Sequence, residues 1–221
     1  MARTGSTNDV YPAAGPSLVY LKKDIEGDPG QFCRDAACQA AEATAALHRH
    51  GICHGDFQTN KILLRDSSFD GSLHHTSPEI LFGENPSAAS DIWAACTTFE
   101  IRTGNFLFCD KSTETIDNYL AHMVRRLGQP LPEPWWTTSW KLRRKFYEDA
   151  PDAQGKAVLV NGIPEELKLE QMDDQPLHSI MSTEEKDLFV DLLSMMLKYD
   201  PKERPTAEQV LEHPWFKFRS E

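Results

Sequence analysis

From Phe32 to His50 the chain is rich in alanine, and Gly51 follows directly. Alanine is the best helix former, and a glycine just past the last turn is the usual stop, so the pattern predicts a helix over Phe32–His50. A second apolar run, Ile92, Trp93, Ala95, Cys96 and Phe99, follows Asp91, a residue able to cap a helix, and Gly104 closes it. Ile116, Leu120, Met123 and Leu127 recur at helical spacing before Gly128. Ser182-Thr-Glu-Glu185 has the form of a capping box, and Leu188, Phe189, Leu192, Leu193, Met196 and Leu197 form an apolar stripe after it. Thr206-Ala-Glu-Gln209 is a second box, with Val210 and Leu211 facing inward and Pro214 closing the helix.

Strand signals are few. Leu18–Leu21 and Ile62-Leu63-Leu64 are short apolar runs among polar neighbours. Pro12, Gly15, Pro16, Gly27, Pro29 and Gly30 punctuate the first thirty residues, which read as loop. Trp135, Trp136 and Trp140 precede Lys141, Arg143, Arg144 and Lys145; this reads as a core-anchored loop with a solvated face. Asp149–Pro176 is acidic and weakly periodic, the pattern of an insert on the surface. The pattern as a whole predicts a mainly helical domain with one or two short strands.

Composition narrows the class. At 221 residues the chain is long enough for one sizeable core, given domains of about 150 residues. Acidic residues outnumber basic ones 34 to 23, a net charge of −11, which argues against gripping nucleic acid and favours basic partners. The five cysteines, Cys33, Cys38, Cys53, Cys96 and Cys109, form no C-x-x-C pair and read as reduced thiols. No apolar stretch is long enough for a membrane span, and the N-terminus lacks the apolar core of a signal peptide. The expectation is a cytoplasmic or nuclear protein, and nothing in the sequence points to an oligomer.

Three local signatures carry chemistry. The first runs from Leu47 through His54-Gly55-Asp56-Phe57-Gln58-Thr59-Asn60-Lys61 into Ile62-Leu63-Leu64. The second is Thr76-Ser77-Pro78-Glu79-Ile80-Leu81, followed by Ser90-Asp91-Ile92-Trp93. The third is Asp200-Pro-Lys-Glu-Arg204-Pro-Thr-Ala207 with His213-Pro-Trp-Phe216. In this order, over about residues 32–218, they resemble the catalytic loop, the end of the activation segment and the C-terminal region of eukaryotic serine/threonine protein kinases, most like the SR-protein kinases.

The resemblance implies a large helical kinase lobe over 32–221 with an insert at about 129–180. Residues 1–31 are read as an irregular, hinge-like segment. It implies transfer of the γ-phosphoryl group of ATP, with Mg²⁺, to Ser or Thr of proteins, and Arg/Ser-rich substrates by likeness to the subfamily. Asp56 matches the proton acceptor. His54 would brace the loop from within the core, Asp91 would accept amides of that loop, and Glu79 and Arg204 would form a buried ion pair.

The sequence departs from the family in several places. None of its glycines forms G-x-G, so a small β-rich lobe that holds ATP is expected to be missing. Gln58 stands where a lysine usually meets the phosphate, and Lys61 stands where an asparagine ligates Mg²⁺, with Asn60 one residue early. A protonated ammonium cannot ligate a metal. Phe69-Asp70-Gly71 has the letters of the metal-binding Asp-Phe-Gly in another order, and Asp70 reads as a turn residue. Gly55 replaces the Arg of the His-Arg-Asp motif. A kinase chain incomplete as written is expected, inactive in isolation; the alternative is a pseudokinase lobe that binds proteins. An exposed apolar patch is expected around Gly55–Leu64.

Overall fold

A computed structural model describes residues 28–57, 75–108, 115–150, 152–160 and 181–219. The described residues are mostly helical, and their only β pairing is an isolated antiparallel bridge between Tyr147 and Leu159. This is the helical architecture expected of a large kinase lobe. The strand expectations at Leu18–Leu21 and Ile62–Leu64 lie outside the described residues.

Helix α1 spans Pro29–Arg49, three residues longer at its start than the alanine pattern indicates. The Asp28 carboxylate accepts the Gly30 amide at 2.8 Å, and Pro29 takes the first helical position, where its missing N–H costs nothing. α2 is a single turn, Pro78–Leu81.

The helix expected to start at an Asp91 cap is two helices, α3 (Ala88–Trp93) and α4 (Ala95–Thr103). Ser87 occupies the cap position of α3, and its amide donates to Ser90 Oγ at 3.1 Å. That box satisfies the start of the helix, so the Asp91 carboxylate is available for another task. Gly104 and Gly128 terminate α4 and α5 (Ile116–Leu127) in the left-handed conformation, φ +73° and +67°.

Helix α6 (Thr183–Met196) is capped by Ser182, which accepts the Glu185 amide at 3.1 Å. The other half of the expected box is replaced: the Glu185 carboxylate turns inward, onto two arginines. In α7 (Ala207–Leu211) both halves form between Thr206 and Gln209, and a 3₁₀ turn, Pro214–Lys217, follows.

One core joins these elements. Trp93 stacks between Phe108 and Tyr199 at 5.7 and 6.1 Å, and Phe189 packs on Phe99 and Trp215. Tyr119, Leu120, Met123, Leu192, Leu193 and Val210 complete it. Of the predicted inward positions, Ile116 fails: it begins α5 and is 45% exposed. The tryptophan segment is anchored in the core through Trp136 and Trp140, while Trp135 stacks on Phe82 at 5.1 Å. Lys141, Arg144 and Lys145 face solvent as expected, but Arg143 is buried with its guanidinium 4.7 Å above the Trp136 ring. Of the acidic stretch after Asp149, residues 161–180, with Glu165, Glu166, Asp173 and Asp174, lie outside the described residues. Among the described residues no helix is long and apolar enough to cross a membrane. Cys33, Cys38, Cys53 and Cys96 are free thiols.

Candidate active site

Gly51, with φ +70°, turns the chain out of α1 and into the loop Cys53-His54-Gly55-Asp56-Phe57. Asp91, buried on α3, holds that loop by its backbone. Its Oδ2 accepts the His54 amide at 2.7 Å and its Oδ1 accepts the Gly55 amide at 2.8 Å. Oδ2 also lies 2.9 Å from His48 Nε2 at the end of α1. A carboxylate taking two backbone N–H groups fixes their separation and direction, and so the start of the residue that follows, Asp56.

Gly55 has φ +72°, and a Cβ built there would meet Pro86 Cβ at 3.4 Å. The contact is an ordinary one, so it is the left-handed backbone that disfavours a side chain, and the arginine expected from the family pattern would be strained here.

Asp56 is exposed at a small cleft of about 100 Å³, also lined by Gly55, Phe57, His75, Thr76 and Ser77. His54 does not brace this loop from the core, contrary to the expectation. It is exposed; its Nδ1 accepts the Asp56 amide at 3.3 Å and its ring meets the Phe57 ring at 5.5 Å. The side chain turns along its own loop because the backbone, not the imidazole, is what Asp91 anchors. Phe57 is half-buried and Ile52 is 52% exposed. Gln58, Asn60, Lys61 and Asp70, and most of the expected apolar patch, lie outside the described residues.

The opposite wall of the cleft rests on Glu79 and Arg204. The guanidinium donates to both carboxylate oxygens at 2.7 Å, and also to Ala89 O, Lys198 O and Tyr199 O. All five N–H donors of the arginine are thereby used. Ser90 Oγ adds a donor to Glu79 Oε1 at 2.9 Å, and the guanidinium lies 5.0 Å above the Trp93 ring. Burial pushes the Glu79 carboxyl up, but the hydrogen bonds and charge of Arg204 outweigh it and hold the group below the ordinary carboxylate range.

The sequence reading did not single out several groups. His48 reads as a basic residue in the last turn of a helix, and its bond to Asp91 needs the tertiary fold. His75 Nε2 lies 3.1 Å from Glu100 Oε2, both side chains being 5% exposed. Glu185, read as half of a capping box, joins Arg34 and Arg102 in a buried cluster at 2.8–2.9 Å. Burial and the neighbouring Asp91 charge push the Cys53 thiol up to about 11, which keeps it protonated near neutral pH. A larger groove of about 550 Å³, between the ends of α5 and α6, contains none of the candidate residues.

The helical lobe, the loop held by its backbone on Asp91 and the Glu79–Arg204 pair define a class of protein, and comparison with known proteins gives it a name. The family model for the protein kinase domain matches residues 65–216. The chain belongs to the protein kinase family. It is similar to the serine/threonine-protein kinase AFC3 of Arabidopsis thaliana, 28% identical over 96% of this chain and 63% of that protein. It is also similar to the serine/threonine-protein kinase SKY1 of Saccharomyces cerevisiae, 30% identical over 74% of this chain and 20% of that protein. The third is the serine/threonine-protein kinase SRPK of Physarum polycephalum, 29% identical over 62% of this chain and 32% of that protein. The chain thus spans less than two thirds of the length of each of these relatives.

Proposed function

We propose that this chain is the substrate-side lobe of a serine/threonine protein kinase acting on basic, Arg/Ser-rich proteins. The observation that carries the reading is the pinning of the His54-Gly55 amides on buried Asp91, which aims Asp56 at the cleft beside the Thr76–Ser77 wall. In this reading the Asp56 carboxylate takes the proton of the substrate hydroxyl as the γ-phosphoryl group passes from ATP to its oxygen. The net charge of −11 and the likeness to SR-protein kinases support a basic substrate. The free thiols support a reducing compartment, cytoplasmic or nuclear.

The family uses ATP and Mg²⁺. Among the described residues no group of three His, Cys, Asp or Glu side chains could hold a metal ion. Asn60, Lys61 and Asp70 lie outside them, and an ammonium at the asparagine position does not fit Mg²⁺. No step is therefore routed through the metal, and nucleotide gripping is assigned to no residue of this chain.

Three measurements test the reading. Titration with a labelled Arg/Ser peptide is expected to show binding that weakens several-fold in Asp56→Asn; binding by neither protein overturns the substrate class. A thermal shift with Mg²⁺ and ATP is expected to be flat, and a clear Mg²⁺-dependent stabilisation overturns the assignment of nucleotide gripping elsewhere. Where transfer is observed, Asp56→Asn abolishes it; an unchanged rate removes Asp56 from its role.

A further inference from the structure

Thr76 and Ser77, which line the cleft together with Asp56, are bracketed by two buried side-chain contacts of different kinds. On the C-terminal side the anchor is Glu79 on Arg204, a guanidinium that stays charged at every accessible pH. On the N-terminal side the anchor is His75 on Glu100 of α4, an imidazole whose charge ordinarily changes between pH 5 and 8. We infer that His75 is a positioning residue whose bond to Glu100 sets the Thr76–Ser77 wall, and that this bond makes the wall proton-sensitive.

The chemistry of the ring supports this. His75 Nε2 is engaged by Glu100, while His75 Nδ1 is buried without a hydrogen-bond partner. With one proton, carried on Nε2, the ring donates to the carboxylate and Nδ1 is a bare lone pair. A second proton turns Nδ1 into a buried donor facing no acceptor. The protonated ring gains a hydrogen bond by turning or carrying its backbone toward an acceptor, and Thr76 is the next residue. Among the described residues, the titratable groups around it are Glu100 from α4, and Asp56 and Asp91, which share the lining of the cleft with His75. The Phe106 ring meets the imidazole edge at 6.3 Å from the other side. The far anchor does not titrate with it, so motion at His75 pivots the wall about a fixed point.

This inference rests on the kinase reading of the cleft for its meaning, and its test is independent of activity. The experiment is an NMR pH titration of the intact, isotope-labelled chain between pH 5 and 8. It follows the His75 imidazole together with the Thr76 and Ser77 amides. The expected result is a shared midpoint for all three, lost in His75→Gln and in Glu100→Gln, which keeps the hydrogen bond but removes the carboxylate. An imidazole that titrates while the two amides stay still overturns it. So does an imidazole that does not titrate in this range, or an amide response that persists unchanged in Glu100→Gln. The wild-type titration decides the matter even where a variant fails to fold. Binding of an Arg/Ser peptide across the same range is expected to depend on pH in the wild type and to flatten in Glu100→Gln. A chain that binds no such peptide at any pH defeats the substrate reading and leaves the NMR result to judge His75 alone.

Discussion

Arg204 grips Glu79 with both terminal nitrogens, each 2.7 Å from a carboxylate oxygen, across 125 residues of chain. The contact closes the lobe: it joins the turn that walls the cleft to the loop between α6 and α7. Each partner alone is a buried charge. Removing one of them by Glu79→Gln or Arg204→Met is expected to cost about 3–5 kcal/mol in denaturant unfolding. Arg204→Lys is expected to recover little, because an ammonium cannot reproduce the two-pronged contact or reach all three carbonyls. Full recovery by lysine would show that charge alone matters there.

Glu185 predicts an acid limit together with Glu79. Burial acts to raise both carboxyls, yet the arginines hold both below their ordinary value of 4.5. A carboxyl lowered in the folded state contributes stability that is complete above its unfolded value and is lost as pH falls through the folded one. Thermal melts are therefore expected to be insensitive to these groups at pH 6 and to fall steeply below about pH 4.5. Glu185→Gln is expected to lower the melting temperature at pH 6 and to flatten the acid slope. An unaltered slope would place the acid sensitivity elsewhere.

Asp91 makes a sharper prediction about the loop from Cys53 to Phe57. Asp91→Ala orphans the His54 and Gly55 amides and His48 Nε2. Hydrogen exchange at those two part-buried amides is expected to accelerate by at least tenfold, with a loss of about 1 kcal/mol per hydrogen bond removed. Exchange confined to its wild-type rate would mean that the loop is held by something other than this carboxylate.

Gly55 tests the departure from the His-Arg-Asp pattern. With φ +72° and Pro86 at van der Waals distance from any Cβ, Gly55→Arg is expected to destabilise the chain by about 1–2 kcal/mol, the cost of a side chain in the left-handed region. Gly55→Asn, whose side chain tolerates that region better, is expected to cost less. A neutral Gly55→Arg would show that the loop relaxes out of the left-handed conformation.

Much of the fold was legible because it is local. Gly104 and Gly128 end their helices, Thr206 and Gln209 build their box, and the stripe from Phe189 to Met196 faces inward, since each depends only on neighbours within a turn or two. The misread positions share a different cause. Asp91 and Glu185 both sit where a helix start wants an acidic side chain: Ser87 with Ser90 takes the cap at α3, and at α6 Ser182 caps alone while the Glu185 carboxylate turns to Arg34 and Arg102. Their carboxylates are thereby released for partners far along the chain.

The sequence by itself determined the family, the helical elements and the candidates Asp56, Asp91, Glu79 and Arg204, because short motifs in a set order need no contact map. The family resemblance also implied that Asp91 takes loop amides and that Glu79 meets Arg204; only the tertiary structure decided the contacts that no motif carries. It added His48 to Asp91, turned His54 outward, buried Arg143 on Trp136, and paired His75 with Glu100. The reason is physical: a buried charge is tolerated only with its partner, and the partner is chosen by how helices pack, which no local pattern records.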